Sequence, residues 1–146
     1  VVMNFQPPSP AIAGSEWAVS VDSFANVMDA FQSLDLSLPS MVWLKKVMGE
    51  SALLASGNDP SKVYVECGAY YDVEGRQSPR KIVEMVRKVE TLMLAYGGRP
   101  HLSKLISMTP AEMQSVYPAL TTFQQIRRQL DPQNIFYTQR LANLFG

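Results

Sequence analysis

The densest group of reactive side chains in this sequence lies within six residues, where Arg99, His101 and Lys104 follow a pair of glycines. Guanidinium, imidazole and ammonium groups bind anions, donate hydrogen bonds to hydroxyl oxygens and stabilise negative charge that develops during a reaction. The cluster therefore predicts a site for an anionic or hydroxyl-rich ligand. The alternative is a solvated loop whose Arg and Lys pair with carboxylates at little gain in stability.

Histidine and cysteine usage argues against several other kinds of site. His101 is the only histidine and Cys67 the only cysteine of the chain. A zinc site needs several nitrogen or sulfur ligands, and a disulfide needs a second thiol. We therefore expect no metal, no iron–sulfur cluster and no internal disulfide, and the single cysteine fits a reducing compartment.

The composition indicates one globular domain. Apolar residues make up 47% and charged residues 18% of the 146 residues, which is enough for a core of its own. The 13 basic and 13 acidic residues leave no net charge to attract nucleic acid, so nucleic acid is not an expected partner. No apolar run approaches the length of a membrane span, and we expect a soluble protein, cytoplasmic rather than secreted.

Strand and helix periodicities alternate through the first part of the chain. Residues 1–5 resemble the middle of a strand, and a proline-rich loop follows at residues 6–14. A strand at residues 16–21 leads into an amphipathic helix that Asp22 caps. The apolar face of this helix carries Phe24, Val27, Met28, Phe31 and Leu34.

Two further strands are predicted after this helix. Residues 41–47 form one, and a polar loop at residues 50–60 leads to the other at residues 62–71. One side of the last strand carries Val63, Val65, Cys67, Ala69 and Tyr71, and the other side carries Tyr64, Glu66 and Tyr70. Such alternation is typical of a strand whose two faces meet different surroundings.

Helices dominate the rest of the chain and are predicted at residues 79–96, 109–116, 119–130 and 138–145. A loop at residues 72–77 precedes the first of them, Ser78 caps this helix, and the paired glycines end it. Thr109 and Glu112 form a capping box at the start of the second. In the third, Arg127 and Arg128 turn toward water. This order predicts an α+β fold, an antiparallel sheet with helices packed on one face and a C-terminal helical segment.

The segments from the paired glycines onward resemble the C-terminal end of the aldonolactone and alditol oxidases, flavoenzymes of the vanillyl-alcohol oxidase superfamily. The family motif reads Gly-Gly-Arg-Pro-His-Trp-(Ala/Gly)-Lys, then Tyr-Pro, then Leu-Asp-Pro, and it corresponds here to residues 97–104, 117–118 and 130–132. The resemblance implies that residues 1–146 are the substrate-binding and C-terminal domain of a flavin-linked oxidase. FAD would be bound mainly by a domain or subunit absent from this chain, which contains no Gly-x-Gly-x-x-Gly turn for its phosphates.

The same resemblance implies roles for the cationic cluster. In these oxidases the lysine that ends the motif points into the cavity before the flavin and contacts substrate hydroxyls, which implies a catalytic role for Lys104. Its ammonium would stabilise the charge that grows on the hydroxyl oxygen as hydride leaves for flavin N5. With a pKa lowered by burial, the same lysine would act as the base instead. Arg99 and His101 match the motif and are implied to shape the loop or the cofactor side of the site.

Two departures from the family pattern concern the substrate site. Leu102 and Ser103 stand where the motif has Trp and a small residue. The family usually carries Glu-x-Arg on a strand of the substrate domain, and an alignment without gaps places Trp43 at the Glu and Lys45 at the Arg. Lysine keeps the charge but loses the planar fork of arginine. Trp43 either forms a flat wall for a stacked sugar or packs in the core.

The function implied by the resemblance is oxidation of a sugar-derived lactone or polyol hydroxyl by an FAD-dependent enzyme, with this chain inactive by itself. Its substrate-binding residues would be Lys45, Trp43, His101 and Arg99, grouped around Lys104. One alternative is a non-catalytic binding or assembly module on the same scaffold, which the missing Glu-x-Arg favours. Another is a relative that oxidises a lipid-linked sugar, which an aromatic wall would suit. Convergence of Lys104, Lys45 and His101 on one cleft would favour the enzyme.

Overall fold

The computed structural model describes residues 11–36, 40–56, 61–71 and 79–146. The predicted strand at residues 1–5 and the predicted cap Ser78 lie outside these ranges. The same is true of the predicted loop at residues 72–77 and of parts of the loops at residues 6–14 and 50–60.

The strands are β1 (Ala11–Ser20), β2 (Ser40–Met48), β3 (Ser61–Tyr71) and β4 (Arg99–Pro100). They form one sheet in the order β2-β3-β1-β4, with every neighbouring pair antiparallel. The strands predicted at residues 16–21, 41–47 and 62–71 are confirmed as β1, β2 and β3. The sequence did not predict β4, because two residues are too few to show a periodicity.

The predicted loop at residues 6–14 is wrong for residues 11–14, which belong to β1. Gly14 lies opposite Gly68 of β3, and a Cβ atom added to Gly14 would lie 2.8 Å from the carbonyl oxygen of Cys67. The glycine that looks like a turn residue in the sequence is instead the point where two backbones approach closely.

The helices are α1 (Phe24–Gln32), α2 (Pro79–Ala95), α3 (Pro110–Val116), α4 (Leu120–Leu130) and α5 (Gln139–Phe145). The capping box of Thr109 and Glu112 is confirmed at the start of α3. Asp22 does not cap α1, because Ser23 precedes the helix and no side chain caps it. The Ser23 amide donates to the Ser20 carbonyl oxygen at 3.2 Å, so Asp22 lies inside the turn that joins β1 to α1. Across the described ranges, no helix has the length and apolarity needed to span a bilayer.

The helices cover one face of the sheet, and the core lies between the two layers. Its buried residues include Trp17, Val19, Val65 and Cys67 from the sheet and Met85, Val86, Val89 and Met93 from α2. This arrangement confirms the α+β fold with helices on one face. Because side chains alternate along a strand, Glu16 and Glu66, the neighbours of Trp17 and Val65, point to the opposite, helix-free face.

The C-terminal helices are joined to the sheet through Tyr117. This residue is fully buried, and its hydroxyl donates to the carbonyl oxygen of Pro100 in β4 at 2.5 Å. Arg128 is exposed as predicted, whereas Arg127 is only partly exposed. The chain folds back after α4 and places the ring of Tyr137 3.9 Å from the Arg127 guanidinium, so the cation packs on an aromatic face.

Candidate functional site

Two carboxylates face each other on the helix-free side of the sheet. Glu16 of β1 lies directly opposite Glu66 of β3, and their side chains are only 5% and 16% exposed. Like charges at directly opposed positions destabilise a sheet, and loss of hydration adds to that cost. The pair therefore needs cations close by.

Two lysines from different elements supply these cations. Lys45 of β2 donates to Glu16 Oε1 at 3.0 Å and to Glu66 Oε2 at 2.8 Å. Lys104 donates to Glu66 Oε1 at 2.5 Å, and its Nζ lies 3.6 Å from Glu16 Oε2. Each lysine thus contacts both carboxylates. Glu16, Lys45, Glu66 and Lys104 are called the lysine–glutamate tetrad below.

The paired glycines turn the chain from α2 toward this face. Gly97 has a φ of 67°, in the left-handed region that ends helices, and the Gly98 amide donates to the Met93 carbonyl oxygen at 2.8 Å. These are the backbone features of a Schellman helix end. The turn sends the following residues back across the sheet as β4, and Lys104 follows four residues after β4 ends.

Backbone hydrogen bonds then fix the segment that carries Lys104. The His101 amide donates to the Glu16 carbonyl oxygen at 2.8 Å, and the Leu105 amide donates to the Gly14 carbonyl oxygen at 3.0 Å. The segment is therefore held beside β1 at both of its ends. Lys104 lies between these two anchors, which directs its side chain over the two carboxylates.

The contacts within the tetrad shift the pKa values of two members. Burial opposes the ionisation of Glu66, but the hydrogen bonds from Lys104 and Lys45 outweigh it and lower the pKa of Glu66 below its ordinary value. The hydrogen bonds to Glu66 and then Glu16 raise the pKa of Lys45. Both shifts favour the charged forms. Glu66 and Lys45 are therefore ionised at neutral pH.

An open cavity of about 730 Å³ lies against the tetrad and is called the tetrad cavity below. Its volume is typical of small-ligand sites. It is lined by Ala13, Gly14, Trp43, Lys45, Glu66, Ser103, Lys104, Leu105 and Arg140. Trp43 lies opposite Glu66 in the sheet and is 36% exposed. The structure therefore places Trp43 in the wall of the cavity and not in the helix-covered core.

His101 lines a different hollow, of about 480 Å³, together with Tyr64. The two rings meet edge to face with their centres 6.2 Å apart, and the Ser103 amide donates to His101 Nδ1 at 3.3 Å. Of the three residues whose convergence would favour an enzyme, Lys45 and Lys104 share one cavity, whereas His101 lies outside its lining.

Arg99 lines neither of these cavities. Its guanidinium lies 5.8 Å from the centre of the Tyr117 ring and donates to the Ala55 carbonyl oxygen at 3.4 Å. These contacts link β4 to the segment before β3 and to the C-terminal helices. The position of Arg99 suits packing around the site more than contact with a ligand in the tetrad cavity.

Three charged residues of the tetrad and its cavity were not identified from the sequence: Glu16, Glu66 and Arg140. The sequence did contain an indication for Glu66, since this residue lies on the polar side of a regularly alternating strand. Glu16 becomes informative only through the register that sets it opposite Glu66. Arg140 reaches the cavity from α5, and no local pattern connects it with Lys104.

The lining of the tetrad cavity combines ammonium groups, a carboxylate, a hydroxyl, an indole and a guanidinium. Such groups suit the hydroxyl and carbonyl oxygens of a small polar ligand. Among the residues that the structure describes, no group of His, Cys, Asp and Glu side chains is arranged to hold a metal ion.

Comparisons with known proteins extend over most of this fold. A family model described as D-arabinono-1,4-lactone oxidase matches residues 12–144. The chain is 35% identical over 75 residues to L-gulonolactone oxidase of Mus musculus, which covers 51% of the chain and 17% of that protein. It is 25% identical over 136 residues to L-gulonolactone oxidase of Scyliorhinus torazame, which covers 90% of the chain and 30% of that protein.

A third similar protein is the alditol oxidase of a Streptomyces species, 32% identical over 63 residues, which covers 43% of the chain and 15% of that protein. The chain thus spans less than a third of the length of each of these relatives.

Proposed function

The chain belongs to the D-arabinono-1,4-lactone oxidase family, and on that premise we propose that it is the substrate-binding part of an FAD-dependent oxidoreductase. The proposed reaction is the oxidation of a hydroxyl-bearing carbon in a sugar-derived lactone or polyol. The meeting of Lys45 and Lys104 at one open cavity is the observation that carries this proposal. Relatives named for a lactone and for alditols support the same substrate class.

FAD is proposed to be held mainly by a separate domain or subunit. The chain has no Gly-x-Gly-x-x-Gly turn for the phosphates of the cofactor, and the tetrad cavity offers groups suited to the substrate side of a flavin ring. When bound, the flavin supplies the acceptor for the hydride that leaves the substrate carbon. The residues of this chain would bind the substrate, orient it and handle its hydroxyl proton.

Lys104 is the proposed catalytic residue. Its side chain is 32% exposed, lines the cavity and is held from behind by Glu66. An ammonium within hydrogen-bond distance of the reacting hydroxyl oxygen would stabilise the negative charge that develops there. Because Glu66 accepts a hydrogen bond from Lys104 and the Glu16 carboxylate lies 3.6 Å from its Nζ, both favour the ammonium form. We therefore assign Lys104 to hydrogen-bond donation and not to proton removal.

Glu66 is the proposed acceptor of the hydroxyl proton. When the substrate C–H bond breaks and the hydride leaves, the O–H bond must also break to form the carbonyl, and its proton needs a base. Glu66 is the carboxylate of the cavity lining among the described residues, and the hydrogen bonds from Lys104 and Lys45 that lower its pKa keep it ionised at neutral pH while also making it a weaker base. A carboxylate oxygen that accepts one hydrogen bond from a lysine retains a further lone pair.

Trp43 and Lys45 are proposed to orient the substrate. The exposed part of the Trp43 indole can pack against the C–H face of a sugar, and Lys45 can donate to a ring or hydroxyl oxygen while it keeps its carboxylate contacts. The same indole would suit the apolar part of a lipid-linked sugar, which remains the alternative substrate within this enzyme class.

The proposal is tested by replacing Lys104 with alanine in the native flavin-containing protein. Turnover of sugar lactones or alditols is expected to fall at least about tenfold, equivalent to roughly 1.4 kcal/mol in the barrier. Lys46→Ala is the matched control, because Lys46 neighbours Lys45 but points to the other side of β2. Its turnover should stay within about twofold of the wild type. Equal turnover in the Lys104→Ala protein would remove this residue from the site.

The second candidate function is a non-catalytic binding module. It is favoured by the ion pairs of Lys45 and Lys104 with carboxylates, which already balance the charges of both lysines. Anaerobic mixing of the native protein with sugar lactones and alditols distinguishes the two. The oxidoreductase proposal requires loss of the oxidised flavin absorbance on mixing. Calorimetric binding of the same compounds with no change in that absorbance would support the binding module.

A further inference from the structure

The charges around the tetrad cavity do not cancel, and the excess is located at one residue. The ammonium groups of Lys45 and Lys104 are balanced by the carboxylates of Glu16 and Glu66. Arg140 lines the same cavity and carries a further positive charge. In the part of the chain that the structure describes, its guanidinium makes no ion pair with a carboxylate.

Backbone contacts hold this guanidinium at the rim of the cavity. Arg140 Nη2 donates to the carbonyl oxygens of Leu102 at 3.2 Å and Lys104 at 2.8 Å, on either side of Ser103. Its Nε and Nη1 atoms have no hydrogen-bond partner among the described residues. The charge is therefore fixed in place, while several donors remain available to a ligand.

From this arrangement we propose that the tetrad cavity binds a sugar-derived substrate that carries an anionic group, a carboxylate or a phosphate, and that Arg140 recognises that group. The inference rests on the proposed function, because it names the class of substrate for the same cavity. Neither Lys45 nor Lys104 is as well placed for this task, since each is already held between two carboxylates that would repel an anion.

The chemistry of arginine suits this role. A guanidinium presents planar donors that pair with two oxygens of a carboxylate or phosphate, and such charged hydrogen bonds are stronger than neutral ones. A neutral polyol offers no group that needs this charge. Arg140 is therefore expected to distinguish anionic from neutral substrates, whereas Lys104 acts on the hydroxyl that both kinds of substrate share.

Kinetics of the native flavin-containing protein with D-glucitol, D-gluconate and D-glucitol 6-phosphate test the inference. At least one anionic compound is expected to have a kcat/KM about tenfold or more above that of D-glucitol. Arg140→Gln should remove this advantage, so that within this variant the kcat/KM values of the anionic compounds lie within about twofold of the value for D-glucitol. Comparison of gluconate with the phosphate shows which anion the site prefers. Arg128→Gln, an exposed change on α4 outside the cavity lining, is the matched control and should alter neither value.

Two results would overturn the inference. One is an Arg140→Gln protein that oxidises anionic and neutral compounds with unchanged relative kcat/KM. Another is a loss of bound flavin in this variant with unchanged gluconate affinity, which would place Arg140 at a contact with the cofactor or its domain.

The proposed oxidation can fail separately. If none of the three compounds reduces the flavin but calorimetry shows gluconate binding that depends on Arg140, the anion site stands and the oxidoreductase proposal is wrong.

Discussion

Glu16 and Glu66 hold two negative charges opposite each other on neighbouring strands, where side-chain exposure is only 5% and 16%. Their repulsion explains why two lysines reach the same point from β2 and from the segment after β4. Lys104 therefore has a structural role beside its proposed catalytic one. A loss of activity on its removal must be separated from a loss of stability.

Replacement of Lys45 with methionine is expected to lower the free energy of unfolding by on the order of 1–2 kcal/mol, since it removes two charged hydrogen bonds. The side chain is 49% exposed, which keeps the loss at this modest level. Urea unfolding measures the change. Lys46→Met should shift stability by less than about 0.5 kcal/mol. If the two variants are equally stable, the tetrad contributes nothing measurable to folding.

A second ion pair, between Arg87 and Glu112, makes the free energy of unfolding depend on pH in the acid range. Arg87 Nη2 donates to Glu112 Oε1 at 2.6 Å, and Arg87 Nη1 donates to Glu112 Oε2 at 3.2 Å. The Arg87 hydrogen bonds, followed by that from the Thr109 amide, lower the pKa of Glu112 to about 2 from an ordinary value of 4.5. A lowered folded-state pKa adds stability above pH 4.5 that is lost as the pH falls toward 2.

Glu112→Gln is therefore expected to cost about 1 kcal/mol at pH 7, where the ion pair with Arg87 is intact in the wild type. Because the wild type loses this contribution in acid, the two unfolding free energies should approach each other between pH 4.5 and about 2. Chemical unfolding across this range is the measurement. Glu84→Gln, at an exposed pair with Arg80, should show no comparable convergence. A constant difference across the range would contradict the assignment to Glu112.

The sequence identified some site residues and could not identify others. Lys104 and Lys45 were named from a motif and an ungapped alignment, and the structure brings them to one cavity. The function of Glu16 depends on its pairing with Glu66, a contact between residues fifty positions apart that strand periodicity does not specify. The place of Arg140 in the site depends on the packing of α5 near Lys104, and sequence patterns predict such packing even less well.

At the scale of elements, patterns that repeat along the chain were the most reliable. The alternating strand β3 and the long helix α2 were predicted within one or two residues of their ends. Short-range signals were weaker: Asp22 resembles a helix cap, but the turn hydrogen bonds of Ser23 place it before the helix start. Helix α4 itself was predicted correctly, but its apolar side chains are only partly covered: Leu120 is 1% exposed, whereas Ile126 is 43% and Leu130 is 81% exposed.

The junction between α2 and β4 offers a test of how backbone geometry positions Lys104. A Cβ atom at Gly97 would meet nothing within 4 Å, so only its φ of 67° opposes a side chain. Gly97→Ala is expected to lower the unfolding free energy by about 1–2 kcal/mol. Gly97→Asn should lower it less, because asparagine tolerates the left-handed region. Thermal or urea unfolding of both variants measures the difference, and equal stabilities would indicate that the turn relaxes freely.

At the scale of the whole molecule, several large apolar side chains of the described residues remain exposed, including one on β2 and two after α4. On β2, Leu44 is 50% exposed, although it lies opposite buried Val65. After α4, Ile135 is 71% and Phe136 is 78% exposed. Adjacent exposed apolar residues such as Ile135 and Phe136 are suited to packing against another polypeptide. This exposure agrees with the proposal that a cofactor-binding domain or subunit covers parts of this chain.

Phe136→Ser is expected to leave the unfolding free energy of the 146-residue chain within about 0.5 kcal/mol of the wild type. It should also reduce binding of a hydrophobic fluorescent dye, since the ring contributes to an exposed apolar patch. Phe145→Ser is the contrasting control, because that ring is only 6% exposed and its loss should cost about 3 kcal/mol or more. A comparable loss at Phe136 would mean that its ring is packed in solution.

The hydrogen bonds from Arg140 to the carbonyl oxygens of Leu102 and Lys104 would couple the binding of an anion to the position of Lys104. An anion bound to the remaining donors of Arg140 would hold the guanidinium, and with it the same peptide units that position the Lys104 ammonium. Binding of the anionic group of a substrate would then affect the position of the Lys104 ammonium beside the reacting hydroxyl. Compounds without the anionic group would lack this effect, and the Lys104 ammonium would be less well positioned for them. We therefore expect them to have a lower kcat as well as a weaker affinity.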